Sequence, residues 1–322
     1  MNQRRFVQSS EERWLAFDVK LRRLEAREVV EPDELASLPL EYRSVCRDLA
    51  LARARRFDLS LVERLNDLVL RGHQLLYRPT GRLWGRLLRF IRHGFPQAVR
   101  REWRIVLLCH VLFYGTAAAL FVLILIEPEY AYSVLDPSTA ASIEMMYNPA
   151  SESHLRPRGA DTDWQMFGFY IRNNVGIGFR TFAGGVFAGV GSLFFLVFNG
   201  IFLGAVFGHL YEVGFVMPLL TFVVGHGSLE LTAITFAAAS GLRLGWSWLA
   251  PGQNTRFDAL RLGAREALPL IYGAMLMLFL AAVVEAFWSS SRLLSPEVKW
   301  AVGGTGWGVL GAYFGFGGRG GS

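Results

Sequence analysis

Cysteine is scarce in this 322-residue chain, which has only Cys46 and Cys109, so neither a disulfide framework nor a thiolate metal cluster is on offer. Lysine is scarcer still relative to its partner: of 33 basic residues only Lys20 and Lys299 are lysines, a bias that reads as the codon usage of a GC-rich genome. No short apolar stretch with a small-residue cleavage site follows the first Met, because the first thirty residues are charged throughout; insertion is therefore expected from internal segments. An HExxH pair, the simplest zinc-hydrolase signature, is missing. Charge itself is thin, at 19% against 52% hydrophobic residues with a positive mean hydropathy, which excludes two ordinary soluble cores and places the chain in a membrane.

The charge that is present sorts along the sequence. Residues 1–104 hold 22 Lys+Arg and 14 Asp+Glu, whereas the remaining 218 hold 11 and 13. The spacing of Tyr42, Val45, Cys46 and Leu49, then Leu61, Leu65, Leu68 and Val69, predicts short helices over 1–77, with Pro32, Pro39 and Asp58 as breaks and caps. From 78 to 104 eight arginines stand against one glutamate. Arg78, Arg82, Arg86 and Arg89 line one side of a helix whose other face is Leu83, Trp84, Leu87 and Leu88, an interfacial amphipathic helix for anionic headgroups rather than nucleic acid. Setting topology is the plainer reading of the same arginines.

Residues 105–322 then form the membrane domain, with five expected segments: 105–126, 181–208, 216–241 broken at 225–227, 267–288 and 298–316. Ile105–Ile126 is 22 residues without a charge, long enough for a hydrocarbon core of about 30 Å. The positive-inside bias puts 1–104 in the cytoplasm and 127–165, with seven acids and two arginines, outside. Asp136-Pro137 opens a helix in that loop. Phe167–Arg180 is expected to lie in the outer interface and Thr181–Gly208 to cross inward. Gly200, Gly204 and Gly208 recur at four-residue intervals, which invites close helix contact, and the glycines of 298–316 suggest burial among helices. The fold class is thus all-α: a polytopic α-helical membrane protein with a small cytoplasmic helical domain.

Ionisable groups in the apolar part each ask for a partner, and they are His110, His209, Glu212, His226, Glu230 and Glu285, with Asn199 as a neutral member. His226 and Glu230 stand four apart on one helical face. His226, Glu230, Glu285 and Asn199 form the candidate intramembrane polar cluster, with no catalytic residue, metal or cofactor assigned. Three roles stay open for it: a latch of hydrogen bonds at the Gly225–Gly227 break, a proton or cation path, or a zinc site completed by His209 or Glu285.

The stretch GHGSLELTAITFAAASGLRLG resembles the stage II sporulation protein M family of integral membrane proteins, as do IRNNVGIGFRTFAGGVFAGVGSLFFLVFNGIFLG and AAVVEAF. Asn174, Asn199, Gly200, His226, Gly227, Glu230 and Glu285 match its shared pattern, while Gly225 stands where the family usually has proline. LPLEYRSVCRDLALARAR and LNDLVLRGHQLLY resemble the N-terminal extension of the family's Gram-negative branch. The resemblance implies an assembly or scaffolding component of an envelope complex, working with peptidoglycan-remodelling proteins or beside a MoxR-type ATPase, and self-association is a further expectation. Residue chemistry leaves two alternatives, a transporter or channel subunit for an ion or small solute, and an intramembrane metallohydrolase.

Overall fold

The computed structural model describes residues 2–26, 32–76, 83–151, 160–291 and 293–319, which are helical with no strand among them. The chain divides into two compact units, 1–86 and 87–322.

The first unit is three long helices, α1 (Gln3–Glu25), α2 (Pro32–Ala54) and α3 (Leu59–Leu76). Asn2 caps α1 by accepting the Arg5 amide at 3.1 Å. Their apolar faces close over Trp14, Phe6, Phe17, Leu21, Leu49 and Leu65. Pro39, expected as a break, lies inside α2, because Leu38 and Val45 on either side of it are buried in the same core and hold the helix continuous. Trp14 Nε1 donates to the buried Asp48 at 2.9 Å, and Arg71 of α3 grips α1 through Asp18 (2.6 Å) and both oxygens of Glu25 (2.9 and 3.0 Å).

The division falls within α4 (Leu83–Arg89), after which come a π-turn at Phe90–Gly94, α5 (Phe95–Arg101) and α6 (Trp103–Ile126). Beyond α6 a 3-10 turn (Pro128–Ser133) leads to α7 (Pro137–Tyr147), whose start is fixed by Asp136 accepting the Ser138 and Thr139 amides at 3.0 Å. Then follow α8 (Ala160–Tyr170), a π-turn (Ile171–Val175), α9 (Gly176–Ala183) and a tight turn into α10 (Val190–Glu212). After these come α11 (Val216–Val223), α12 (Gly227–Leu249), α13 (Arg256–Val284) with a π-turn at Glu285–Ser289, and α14 (Pro296–Phe316).

Three of these are long and apolar enough to cross a membrane, namely Trp103–Ile126, Val190–Glu212 and Arg256–Ser289; α11 with α12, bent by 76°, would make a fourth. The last helix, α14, is not among them, since six of its residues are glycines that add no apolar side chain. Nor is it buried as expected. A Cβ at Gly304, Gly308, Gly311 or Gly315 would meet nothing within 4 Å, and only Lys299 and Gly303 are buried.

Packing corrects the expected path of the chain. Gly200 sits against Phe113 and Thr116, Gly204 against Ala117 and Gly208 against Ile124, so α10 runs parallel to α6. The expected inward crossing of 181–208 is therefore two pieces of opposite direction. The chain breaks at 184–189, where Gly189 takes a left-handed φ of +84° open to glycine at no steric cost. Phe167–Arg180, expected to lie in the interface, instead belongs to a stretch, 160–183, that runs back along α13: Trp164 packs on Phe287 and Gly178 on Leu278. α12 then runs antiparallel to α10, with Gly245 at Gly189 and His226 at the far end. α13 reverses again, placing Gly263 at Ser247 and Ser289 at His226, and α14 returns from Val224 toward Ile91. Arg243 pairs with Glu102 at 3.5 Å and Arg101 donates to the Glu266 carbonyl at 2.9 Å, so the arginine-rich 243–265 segment lies at the start of α6.

α12 is the centre of this unit, buried on all sides from Thr232 to Gly241, which suits a helix enclosed by others.

Candidate functional site

The site is built where α11 gives way to α12. A Cβ at Gly225 would run into the Trp288 ring, so this glycine lets the π-turn after α13 come onto the backbone. His226 stands at the start of α12, its carbonyl accepting the amides of Leu229 (3.0 Å) and Glu230 (3.1 Å). Glu230 is thus in the first turn, near the positive end of the helix dipole.

His226 is buried, its ring against Phe222. Its Nδ1 meets Ser289 Oγ at 2.9 Å, and its Nε2 stands 3.6 Å from Glu230 Oε2. Glu285, 8% exposed, accepts from Asn174 Nδ2 at 3.1 Å. One donor atom each from His226, Glu230 and Glu285 lie within 4.8 Å of one another. Asn174 and Glu285 both sit in π-turns, features that occur often at functional sites because the extra residue re-aims the side chains. Lys299 enters from α14, its Nζ donating to the Ser289 carbonyl at 2.7 Å.

Tyr147, at the end of α7, lies beside the same groups. Burial raises its phenol well above the usual range, and the charges of Tyr170, Glu285 and Glu230 add to the shift. The cluster is therefore at the end of the unit that carries α7, not at mid-depth.

Of the expected cluster, three members are brought together and Asn199 is not. Its amide donates to the Phe195 carbonyl of its own helix at 2.7 Å, and Asn174 takes the place beside the carboxylates. Ser289 and Lys299 join the site without having been singled out, although Lys299 is one of only two lysines. His209, offered as a completing ligand, pairs with Glu144 at 2.8 Å and so ties α7 to α10. His110 bonds the Val106 carbonyl at 2.8 Å and Thr235 at 3.2 Å, and Glu212 is exposed at the end of α10. Arg86 and Arg89 are exposed on α4 with Leu83, Trp84, Leu87 and Leu88, and no residue of that helix is buried. Arg78 and Arg82 lie outside the described residues.

An imidazole and two carboxylates in this arrangement can share protons or hold a cation. Two cavities lie elsewhere, one beside Trp14 and Asp48 and one at Arg101–Ile105.

Residues 105–290 match the family model described as Stage II sporulation protein M, and residues 4–78 match one described as a domain of unknown function (DUF8413). No curated protein and no solved structure matches the chain.

Proposed function

Since the chain belongs to the stage II sporulation protein M family of membrane proteins, we propose that it is an assembly component of a bacterial envelope complex. In this reading it sits in the inner membrane with the N-terminal unit in the cytoplasm, where a MoxR-type ATPase is the expected partner, and Arg86 and Arg89 meet anionic headgroups.

One observation carries the reading. The segment after α6 is a folded platform rather than a connector: Ala131, Leu135 and Ala140 are buried with Ile124 and Ala205, and Glu144 is pinned to His209. That platform turns Tyr130, Tyr132, Met145 and Met146 outward, each at least half exposed. A rigid surface of aromatic and methionine side chains is the composition found at protein interfaces. A photo-crosslinking residue at Met145 in cells should yield a discrete protein adduct, while one at Val122 on α6 should yield lipid alone. The same lipid-only pattern from both positions would remove the reading.

A second reading, an ion or solute path, is favoured by the titratable cluster at the helix break. Proteoliposome flux abolished by Glu230→Gln with an intact fold would select it.

A further inference from the structure

We propose that His226, Glu230 and Glu285 form a binding site for one divalent transition-metal cation of the zinc class, which ties the start of α12 to the π-turn after α13. The inference goes beyond the assembly role and stands without it.

Geometry comes first. The 3.6 Å between His226 Nε2 and Glu230 Oε2 is too long for a hydrogen bond. It is close to the spacing of two donors that share one ion, about 3.4 Å for zinc bonds of about 2.0–2.1 Å at the tetrahedral angle. Glu285 brings the third donor atom inside the same 4.8 Å circle.

The orientation of each ligand is held from behind. His226 Nδ1 is occupied by Ser289 Oγ at 2.9 Å; with the proton on that nitrogen, Nε2 directs a lone pair at the carboxylates. Asn174 donates to one oxygen of Glu285 and leaves the other for the ion. These are the outer hydrogen bonds that metal sites use to fix tautomer and carboxylate orientation.

Charge supplies an independent reason. With both carboxylates ionised and the imidazole neutral, the three ligands carry −2, which a divalent cation cancels. Among the described residues no arginine or lysine lies within ion-pair distance of Glu230 or Glu285; Lys299 spends its ammonium on the Ser289 carbonyl. The positive end of α12 offers only about half a charge. One nitrogen and two oxygen donors suit zinc, iron(II) or manganese, and at equal availability zinc binds more tightly than the other two.

The test uses the full-length protein in detergent, free of any affinity tag, stripped with chelator, equilibrated with zinc chloride and desalted. We expect about one zinc per chain by elemental analysis, a higher thermal midpoint than the stripped protein, and X-ray absorption showing a single imidazole with oxygen donors. Glu230→Gln and Glu285→Gln should each lower occupancy at least about tenfold, and His209→Ala should leave it unchanged. Should those variants fail to fold, the wild-type stoichiometry and absorption spectrum decide. No retained zinc with an unmoved midpoint would overturn the proposal. So would two imidazoles or none at the metal, occupancy that survives both glutamine substitutions, or occupancy lost with His209.

Discussion

At the residue scale the glycines divide by what a side chain would meet, not by the motif they sit in. Gly204 and Gly308 both belong to glycine series with helical spacing, yet a Cβ on Gly204 overlaps the Ala117 carbonyl and one on Gly308 meets open space. Gly204→Leu should therefore cost about 3 kcal/mol or more and collapse the yield of folded protein, while Gly308→Leu should leave yield and thermal midpoint unchanged. Fluorescence-detected size exclusion after heating checks both, and equal behaviour would show that the α6–α10 seam tolerates bulk. At the polar cluster, Glu230→Ala removes both the shape and the acceptor at the start of α12. It should lower the midpoint of the full chain more than Glu230→Gln, which keeps the shape; an order reversed in the melting curves would mean that Glu230 contributes nothing to the bend. Asn199→Ala, by contrast, should leave any property of the cluster untouched, because its amide bonds its own helix.

At the scale of elements, the N-terminal unit carries a pH dependence of known sign. Hydrogen bonds from Arg71 hold Glu25 below the usual carboxylate range; at Asp18 partial burial works the other way but is outweighed by Arg71 and Arg22. A depressed folded value means that the stabilisation is complete above the unfolded carboxylate range and is lost as pH falls through and below about 4. Arg71→Ala should cost about 1 kcal/mol at neutral pH, given the partial exposure of the partners, and should flatten the acid limb. Hydrogen exchange of α1 and α3 amides in the full protein, corrected for intrinsic rates, reads both effects; an unchanged acid limb would remove Arg71 as its source. Elements that announce themselves by a charge gap or a cap were legible in sequence: the apolar helix α6, α7 from Asp136-Pro137, and the break at Gly225–Gly227. Others were not, for physical reasons. A π-turn has no composition of its own, so the paired turns that aim Asn174 and Glu285 at each other left no trace. Six glycines in α14 signal a bare surface without saying whether protein covers it. Arg172 and Arg180 argued against a traverse by 167–180, yet both are exposed, as is Asn173, while Asn174 turns inward.

For the molecule as a whole, the parallel pairing of α6 with α10 decides the sidedness of everything after it. The connection 250–255 should lie on the same side as the N-terminal unit, opposite Ser138. In a chain freed of Cys46 and Cys109, single cysteines at Arg53 and Asn254 should both be sealed from a membrane-impermeant reagent in intact cells with a permeable outer membrane, and one at Ser138 should react. Labelling of Asn254 together with Ser138 would refute the arrangement of α12. The same pairing bears on the order of synthesis. Ala117 meets Gly204 only after another 87 residues have been translated, roughly 4–17 s at bacterial-to-eukaryotic elongation rates of about 5–20 residues per second. Through that interval α6 must wait in lipid or in the insertion machinery without its partner. It is partly equipped to do so: Thr116 donates to its own Leu112 carbonyl at 2.8 Å and His110 to that of Val106, so these two side chains, on the face that later receives α10 and α12, keep their hydrogen bonds within the helix while the ribosome finishes the rest, and the buried Tyr114 hydroxyl is the donor left without a partner on α6.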